Sequence, residues 1–225
     1  MPLTLYVYPA SITSRPVRLF IAEKKIPVIE RVVDIVTGAH YRDEYTSINP
    51  NRLVPMLEDG AFRLTESSAI LKYLAARFEA PEYPRALEAR AKVDEAMDWF
   101  NTQLCKDFVH DFIYPQVLPH HRRPTAEHQA ATIARAKEKA MFWFDVLDQR
   151  ILGTRDFVAN EQLSIADYLG GCFVAAGDMI GCHYDPYPNV RRWLGRIKAL
   201  PSWSAVSDEM CRFAAQLKGT KFVNL

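Results

Sequence analysis

The first 104 residues contain no cysteine, and the four cysteines of the chain are far apart. Cys105, Cys172, Cys182 and Cys211 form no CxxC pair and match no zinc-ligand spacing, so we predict no metal site. A thiol–disulfide oxidoreductase attacks with a protein thiol, which a site in the first part of the chain could not supply. Few, scattered cysteines are typical of a reducing compartment, and we expect a cytoplasmic protein.

Long hydrophobic runs and an excess of charge of one sign are also missing. No run of about 18 apolar residues occurs, and the first residues are too polar for the apolar core of a secretion signal, so we expect no membrane span. The formal net charge is +1, which gives no strong field for nucleic acid or an acidic membrane. Because 49% of the 225 residues are hydrophobic, we expect a globular protein with a sizeable core.

The first part of the chain, up to about residue 79, alternates short strand and helix patterns. We predict strands at residues 3–8, 27–33, 54–58 and 62–64, with an Asp59-Gly60 turn joining the last two as a hairpin. Pro16 is predicted to lie in the first turn of one helix, and a second helix is predicted to run from Ser68 to Phe78. This order predicts an α/β domain at residues 1–79, in which helices pack on a mixed sheet.

The rest of the chain has no strand signals. Two prolines near residues 81–84 interrupt the periodicity and predict a linker. Apolar residues then recur every three or four positions along 93–112, which predicts a long amphipathic helix, and a second helix is predicted at 126–152. A third is predicted to begin at Ser164, where Asp167 can bond back to the cap, and two more at Pro188 and Pro201. Residues 87–225 are therefore predicted to be all-helical.

Three hydroxyls, on Ser11, Thr13 and Ser14, lie between the first strand and the helix near Pro16. A helix N-terminus presents free N–H groups and partial positive charge, so a thiolate held there is stabilised, and a hydroxyl can donate it a hydrogen bond. Taken alone, the same hydroxyls could simply cap the helix.

Two later loops carry further polar signals. Pro55 opens a strand, and a cis bond before it would leave the backbone of Val54 free to pair with an extended ligand. Glu66 and Ser67 stand before a helix, where the acid can hold an ammonium group and the helix end a carboxylate. By itself, this second segment could also be an ordinary cap.

Taken together, these segments resemble the glutathione transferases, in particular the theta-like and bacterial serine-type enzymes. The resemblance covers nearly the whole chain. Its marks are Ser-x-Pro-x-Arg at 14–18, Gly38-Ala39-His40, Asn49-Pro50 with Val54-Pro55, Thr65-Glu66-Ser67-x-Ala69-Ile70, Asp94-Glu95 with Trp99, and the segment 163–167. The resemblance implies a thioredoxin-like α/β N-terminal domain, an all-α C-terminal domain and a homodimer.

The resemblance also implies an activity and a role for each matching residue. Glutathione would be the co-substrate, activated as a thiolate for attack on a hydrophobic electrophile, by conjugation, dehalogenation or ether cleavage of the kind used in detoxification. The implied glutathione-binding residues are His40, Arg52, Leu53, Val54, Pro55, Glu66 and Ser67. Phe108 and Phe112 would line the electrophile site, although aromatic residues at this spacing are also typical of a helix core. The alternative is a module that binds glutathione without turnover.

The identity of the catalytic hydroxyl depends on how the loop is counted. Counting back from Pro16 and Arg18 selects Ser14, which we prefer because it lies near the helix cap. Counting forward from the first strand selects Ser11, and Thr13 is a third option. We also expect the Val54–Pro55 peptide bond to be cis.

Overall fold

A computed structural model describes residues 2–225, and strands occur only in the first part of this range. The strands are β1 (Leu3–Val7), β2 (Val28–Val32), β3 (Met56–Asp59) and β4 (Phe62–Thr65). The helices associated with them are α1 (Ser14–Glu23), α2 (Asp43–Thr46) and α3 (Ser67–Arg77). A short 3₁₀ turn, Ala39–Tyr41, precedes α2.

The four strands form one mixed sheet in the order β2-β1-β3-β4. Strand β1 is parallel to β2 and antiparallel to β3, and β3 and β4 form an antiparallel hairpin. The predicted hairpin is confirmed, but its turn is shifted by one residue: Asp59 pairs with Phe62, so Gly60 and Ala61 make the turn. Gly60 has a φ of +62°, which glycine adopts without a steric penalty.

The second part of the described chain contains helices and no strands. A long helix begins as α4 (Leu87–Trp99), continues through π-helical turns (Phe100–Ile113) and ends as α5 (Tyr114–Val117). The next long helix, α6 (Ala126–Val146), extends through π-helical turns to Leu152. Both long helices confirm the predictions made from the apolar periodicity of the sequence. The remaining helices are α7 (Ile165–Val174), α8 (Pro188–Lys198) and α9 (Trp203–Gln216), with 3₁₀ turns at Pro119–His121 and Ala175–Ile180.

Helix α7 lies at the centre of the molecule, and every one of its residues is buried. As predicted, Asp167 bonds back to the cap: its carboxylate accepts the Ser164 backbone N–H at 2.8 Å. It also accepts the Val158 N–H and the Trp193 indole N–H, each at 2.9 Å. A Cβ on Gly170 would lie 2.2 Å from the ring of Phe100, so only glycine permits this close packing on the long helix.

The two parts of the chain share one hydrophobic core. Helix α1 packs on α7, where the rings of Phe20 and Tyr168 meet edge to face with centroids 5.4 Å apart. The Arg15 guanidinium, itself buried, donates to the Ser207 hydroxyl of α9 at 2.9 Å. The apolar stripe on the long helix is buried within the chain rather than left on its surface. Among residues 2–225, no helix combines the length and apolar character that crossing a membrane requires.

Candidate functional site

A cavity of about 620 Å³ lies between the sheet-containing part and the helical part. Its first wall comes from the β1–α1 loop, from residues around 35–41, from the loop before β3 and from the start of α3. Its second wall comes from the end of the long helix, the turn that follows it, and two later segments; the residues are His110, Tyr114, Val117, Leu118, His120, His121, Met179, Met210 and Phe213. The predicted polar loops therefore meet at one place.

Two of the three candidate hydroxyls, on Ser11 and Thr13, line this cavity at the entrance of α1. The Thr13 hydroxyl donates to the Val54 carbonyl oxygen at 2.9 Å, and the two hydroxyl oxygens are 3.0 Å apart. Because Thr13 has a single hydroxyl proton and gives it to Val54, Ser11 is the donor between the two. The Ser11 oxygen also accepts the Ser14 backbone N–H at 3.3 Å. Ser11 therefore caps α1 and keeps a proton that it can redirect to a ligand.

Ser14 does not reach the cavity, which corrects our preference for it. It is the first residue of α1, it is completely buried, and its hydroxyl oxygen has no hydrogen-bond partner among the described residues. The physical reason is the position of Pro16. Pro16 lies in the first helical turn, as predicted, but it is the third residue of that turn, so the helix already begins at Ser14 and the Ser14 side chain is buried in the core. The count from the first strand, which selects Ser11, fits the geometry.

Tyr8 is a cavity residue that the sequence analysis missed. It follows β1, lines the cavity, and donates no hydrogen bond from its hydroxyl to any residue in the range 2–225. Burial raises the pKa of Tyr8, and the carboxylates of Asp34 and Glu209 raise it further, so the phenol stays protonated at neutral pH. The available signal was its position at the carboxyl end of a strand, next to the hydroxyl loop.

The loop before β3 presents backbone groups to the cavity. The Val54–Pro55 bond is cis, as predicted. The preceding carbonyl, that of Leu53, accepts the Tyr45 hydroxyl at 2.6 Å and the Asn49 side-chain amide at 2.8 Å. Asn49 and Tyr45 are both buried, so they hold the loop from behind. Neither was singled out from the sequence as a support of the site.

His40 and Arg52 lie at one side of the cavity, on either side of Tyr41. The rings of His40 and Tyr41 have centroids 3.9 Å apart, and the Arg52 guanidinium carbon is 5.9 Å from the Tyr41 ring. Burial lowers the pKa of His40, and the nearby His120 lowers it further. Arg52 has a φ of +57°, an uncommon backbone conformation for a residue with a side chain. The structure therefore brings together His40 and Arg52, two of the glutathione-binding residues that the resemblance implies.

Glu66 and Ser67 lie where α3 begins, on the cavity wall. Glu66 has a φ of +67°, which places it outside the helix while Ser67 becomes its first residue. The first N–H groups of a helix have no intrahelical partner, so this end can accept a carboxylate. The exposed Glu66 side chain adds a negative charge beside it. Such an arrangement suits a ligand that carries both an ammonium and a carboxylate.

Phe108 and Phe112 do not line the cavity, which corrects the predicted electrophile wall. Both are fully buried, and Phe108 packs edge to face on Phe144 with centroids 4.9 Å apart. Their spacing marks the core face of the long helix. The cavity is instead lined by His110 and Tyr114. Apolar periodicity identifies the buried face of the helix. That His110 and Tyr114 line the cavity depends on segments that are distant in sequence, so periodicity cannot predict it.

The chain is similar to known proteins over nearly its whole length. Models of the glutathione S-transferase N-terminal and C-terminal domains match residues 1–76 and 104–201. Human glutathione S-transferase theta-1 is 32% identical over 206 residues, covering 88% of this chain and 83% of the relative. The crystal structure of human glutathione transferase theta-2 with glutathione and an unknown ligand superimposes with a TM-score of 0.84 at 30% identity, covering 99% of this chain and 93% of that one. A human theta-class structure with the glutathione conjugate of 1-menaphthyl sulfate gives 0.81 at 31% identity, covering 96% and 87%.

Proposed function

Because this chain belongs to the glutathione S-transferase family, we propose that the hydroxyl of Ser11 activates the thiol of bound glutathione as a thiolate. The chain is a theta-like transferase with glutathione as co-substrate, and the thiolate attacks an electrophilic small molecule. One observation carries the choice of residue. Ser11 lines the cavity with a proton that it gives only to the Thr13 oxygen, and a thiolate is a stronger acceptor than that neutral hydroxyl.

The energy that this activation needs is modest. A free thiol has a pKa of about 8.5, so lowering it by about 2 units takes ~2.7 kcal/mol of preferential thiolate stabilisation. A hydrogen bond to a charged group contributes about 1.5–3 kcal/mol, and a helix N-terminus about 0.3–1 kcal/mol. Ser11 combines the two, because its oxygen accepts an N–H of the first turn of α1 while its proton is free to turn to the sulfur. Thr13 is less suited, since its proton is bonded to Val54.

The remaining contacts orient glutathione in the cavity. Glu66 and Ser67 would bind the ammonium and carboxylate of the γ-glutamyl end, as their position at the start of α3 suggests. The Val54 N–H, which donates no hydrogen bond within residues 2–225, would pair with the cysteinyl backbone. His40 and Arg52 lie on the cavity wall and would face the glycine carboxylate. This orientation brings the sulfur to Ser11.

The electrophile would bind against the helical wall. Met179, Met210 and Phe213 give this wall an apolar surface, which suits a hydrophobic molecule. These residues replace Phe108 and Phe112 in our proposal. Because they come from the 3₁₀ turn after α7 and from α9, the electrophile would be held mainly by the last part of the chain.

The proposal is tested by titrating the thiol of bound glutathione through its ultraviolet absorbance. We expect the bound thiol to ionise well below pH 8.5 in the unmodified protein, and near the value of free glutathione in Ser11→Ala. Ser14→Ala is the matched control and should leave the titration unchanged. Conjugation by Ser11→Ala should be slower by about 10- to 1000-fold, the range for losing one preorganised donor. A bound thiol that titrates like free glutathione in the unmodified protein would instead identify a passive glutathione-binding module.

A homodimer is the second part of the proposal. The apolar stripe of the long helix is covered within the chain, so it is not available as a dimer interface. Other large apolar side chains are exposed instead, including Phe62 on the edge strand β4 at 47% and Leu87 at the start of α4 at 82%. Light scattering at micromolar concentration should give twice the 25.7 kDa of one chain. A mass of a single chain would contradict the dimer.

A further inference from the structure

Helix α9, which brings Met210 and Phe213 to the cavity, is attached to the rest of the molecule through α1. Within residues 2–225, every hydrogen bond in which a side chain joins α9 or its N-cap to another element involves α1. The α1 side chains are Arg15, Arg18 and Glu23, and their partners are the Ser207 hydroxyl, the Val206 carbonyl and the Ser202 N–H. The position of α9 therefore depends on α1.

Arg15 is the buried member of this set. Only 2% of its surface is exposed, and its guanidinium carbon is 5.1 Å from the centroid of the Trp203 ring. Its Nη2 donates to the Ser207 hydroxyl oxygen at 2.9 Å. Arg18 differs, because it also pairs with Glu30 at 2.9 Å near the surface. The contact between Arg15 and Ser207 is therefore the buried joint between the two helices.

The charge of Arg15 has no counter-ion within the described range 2–225. Its Nε and Nη1 groups are shielded from solvent and donate no hydrogen bond to any residue of that range. A buried cation without a partner costs stability, and an apolar residue in place of a buried charge is often as stable or more so. Violations of this kind are expected at functional positions. Stability alone therefore does not account for Arg15.

The backbone of Arg15 reaches the proposed sulfur site. Its N–H donates to the Ser11 carbonyl oxygen at 3.1 Å, while the adjacent Ser14 N–H donates to the Ser11 hydroxyl oxygen at 3.3 Å. The side chain of Arg15 contacts Ser207, which lies one turn before Met210 on α9. One residue thus connects the hydroxyl proposed to hold the sulfur with the wall proposed to hold the electrophile.

We infer that Arg15 is a positioning residue, which sets the separation between the glutathione sulfur and the electrophile by fixing α9 against α1. The inference rests on the proposed function, because it takes Ser11 as the sulfur contact and the α9 side chains as part of the electrophile wall. A displacement of about 1 Å between reacting groups can cost about 100-fold in rate. If α9 were free to shift by this amount, the cavity would still bind both molecules but would hold the reacting carbon away from the sulfur.

An electrostatic role is the competing explanation. A buried cation near the sulfur would favour the thiolate and lower the thiol pKa. Burial raises the pKa of the Cys172 thiol on α7 to about 11, and the charge of Arg15 opposes this shift. The geometry favours positioning, because Arg15 does not line the cavity and its one hydrogen-bonded nitrogen donates to α9. The two roles make different predictions for the titration of bound glutathione.

Arg15→Met tests the inference by removing the contact while an unbranched apolar side chain fills much of the same space. With benzyl chloride as the electrophile, we expect kcat to fall about 10- to 100-fold. The pKa of the bound glutathione thiol and the affinity for glutathione should not change, because Ser11 and the proposed glutathione contacts are untouched. Arg15→Lys should lose less of the rate, since a lysine can still donate to Ser207.

Ser207→Ala breaks the same contact from α9 and is a smaller change, so it tests the inference even if Arg15→Met folds poorly. It should lower kcat in the same way. Adding it to Arg15→Met should cause little further loss, because the two substitutions remove one contact. Urea unfolding of each variant establishes which are folded. Losses that multiply in the double variant would contradict a shared contact.

Arg212→Gln is the matched control on α9. Arg212 is an exposed arginine whose ion pairs, with Asp208 and Glu209, lie within the same helix. Its replacement leaves the joint with α1 intact and should leave kcat, thiol pKa and glutathione affinity unchanged. A loss of rate as large as that of Arg15→Met would mean that the joint has no special role.

A second electrophile gives a readout that a merely structural role would not change. 1-(Chloromethyl)naphthalene carries the same reacting group as benzyl chloride on a larger ring system. If α9 moves away from α1, the larger molecule fills the added space and stays closer to the sulfur. In Arg15→Met and Ser207→Ala, the ratio of its kcat/KM to that of benzyl chloride should therefore rise. An equal loss with both electrophiles would overturn the inference.

The remaining outcomes separate the inference from the proposed function. A raised thiol pKa in Arg15→Met that Arg15→Lys restores would identify the electrostatic role and overturn positioning. Unchanged kcat in both Arg15→Met and Ser207→Ala would also overturn it, and the proposed function would stand. A bound thiol that titrates like free glutathione in the unmodified protein would reject the proposed function itself.

Discussion

The Thr13 hydroxyl donates a hydrogen bond to the carbonyl oxygen of Val54 at 2.9 Å, although the two residues are 41 positions apart in sequence. This bond joins the entrance of α1 to the loop before β3, the two segments that would hold the sulfur and the backbone of glutathione. It also fixes the direction of the Ser11 proton, because it leaves Thr13 as an acceptor only. The geometry of the site therefore depends on a residue that need not touch the sulfur.

Thr13→Val should weaken glutathione binding without abolishing thiolate formation. Valine keeps the shape of threonine but cannot donate to Val54, and losing one such hydrogen bond costs about 1 kcal/mol, or about 5-fold in affinity. Isothermal titration measures the affinity, and absorbance measures the thiol pKa. Unchanged affinity with a raised thiol pKa would mean that Thr13, not Ser11, contacts the sulfur.

Ser14→Ala should leave the protein as stable as before or more stable, by up to about 1 kcal/mol. The hydroxyl is buried and has no partner within residues 2–225, so its removal relieves a desolvated polar group instead of breaking a bond. Urea unfolding measures the free energy of unfolding, with Ser14→Val as a test of the space available. A large loss of stability in Ser14→Ala would show that the hydroxyl is bonded in solution.

Asp167→Asn should lower the free energy of unfolding by about 3 kcal/mol. The carboxylate accepts bonds from the backbone N–H groups of Ser164 and Val158 and from the Trp193 indole. Asparagine replaces one acceptor oxygen with a group that points its own hydrogens at these donors. Asp145→Asn, at an exposed position, is the control and should change stability little. Similar losses in both variants would contradict a special role for the buried carboxylate.

Glu66→Gln should reduce affinity for glutathione about 10-fold and leave affinity for a deaminated glutathione analogue nearly unchanged. The reason is that Glu66 is proposed to hold the ammonium group, which the analogue lacks. Competition binding with both ligands measures the difference, and Glu44→Gln, which changes an exposed acid outside the cavity wall, is the control. Equal loss for the two ligands would indicate that Glu66 acts on the shape of the loop.

Replacing Phe108 or Phe213 by alanine should affect different properties: stability for Phe108 and electrophile binding for Phe213. Phe108→Ala removes a fully buried ring and should cost about 3–5 kcal/mol of stability. Phe213→Ala, on the cavity wall, should cost less and should raise the KM for a hydrophobic electrophile with little effect on glutathione affinity. Unfolding and steady-state kinetics on the same samples distinguish the two. If only Phe108→Ala changes the KM for the electrophile, the electrophile binds at Phe108 and Phe112, as the sequence analysis predicted.

Local signals in the sequence were sufficient for most of the fold. The two long helices follow from apolar spacing, the start of α7 from Ser164 and Asp167, and the mixed sheet from the order of its elements. The site was harder to predict, because its lining depends on segments far apart in sequence. His110 and Tyr114 follow Phe108 and Phe112 by two positions each on the long helix, but they face a gap that α9 and the loop before β3 complete. No periodicity within one helix contains that information.

The preference for Ser14 over Ser11 disagrees with the lining of the cavity for a related reason. Proline is favoured in the first helical turn, where Pro16 lies, but this preference does not determine which residue begins the helix or which side chain faces the core. The true start at Ser14 is decided by the Ser11 backbone and side chain, which accept the first N–H groups of the helix. The first turn of α1 depends on Ser11, five residues before Pro16, so a motif built around Pro16 does not predict where the helix begins.

The close packing of Gly170 on Phe100 has a consequence for how relatives of this chain can be recombined. Phe100 belongs to the long helix and Gly170 to α7, whose other side carries Tyr168 against Phe20 of α1. Consider a chimaera that joins the first 79 residues of this chain to the helical part of another transferase. It keeps the packing of α7 on the long helix intact, because both come from one parent, and must re-create only the packing of α7 on α1. A chimaera that exchanges α7 alone must re-create its packing on the long helix and its packing on α1 at the same time. Helix α7 should therefore be inherited with the long helix, and crossovers between 79 and 87 should survive selection far more often than crossovers between 152 and 164.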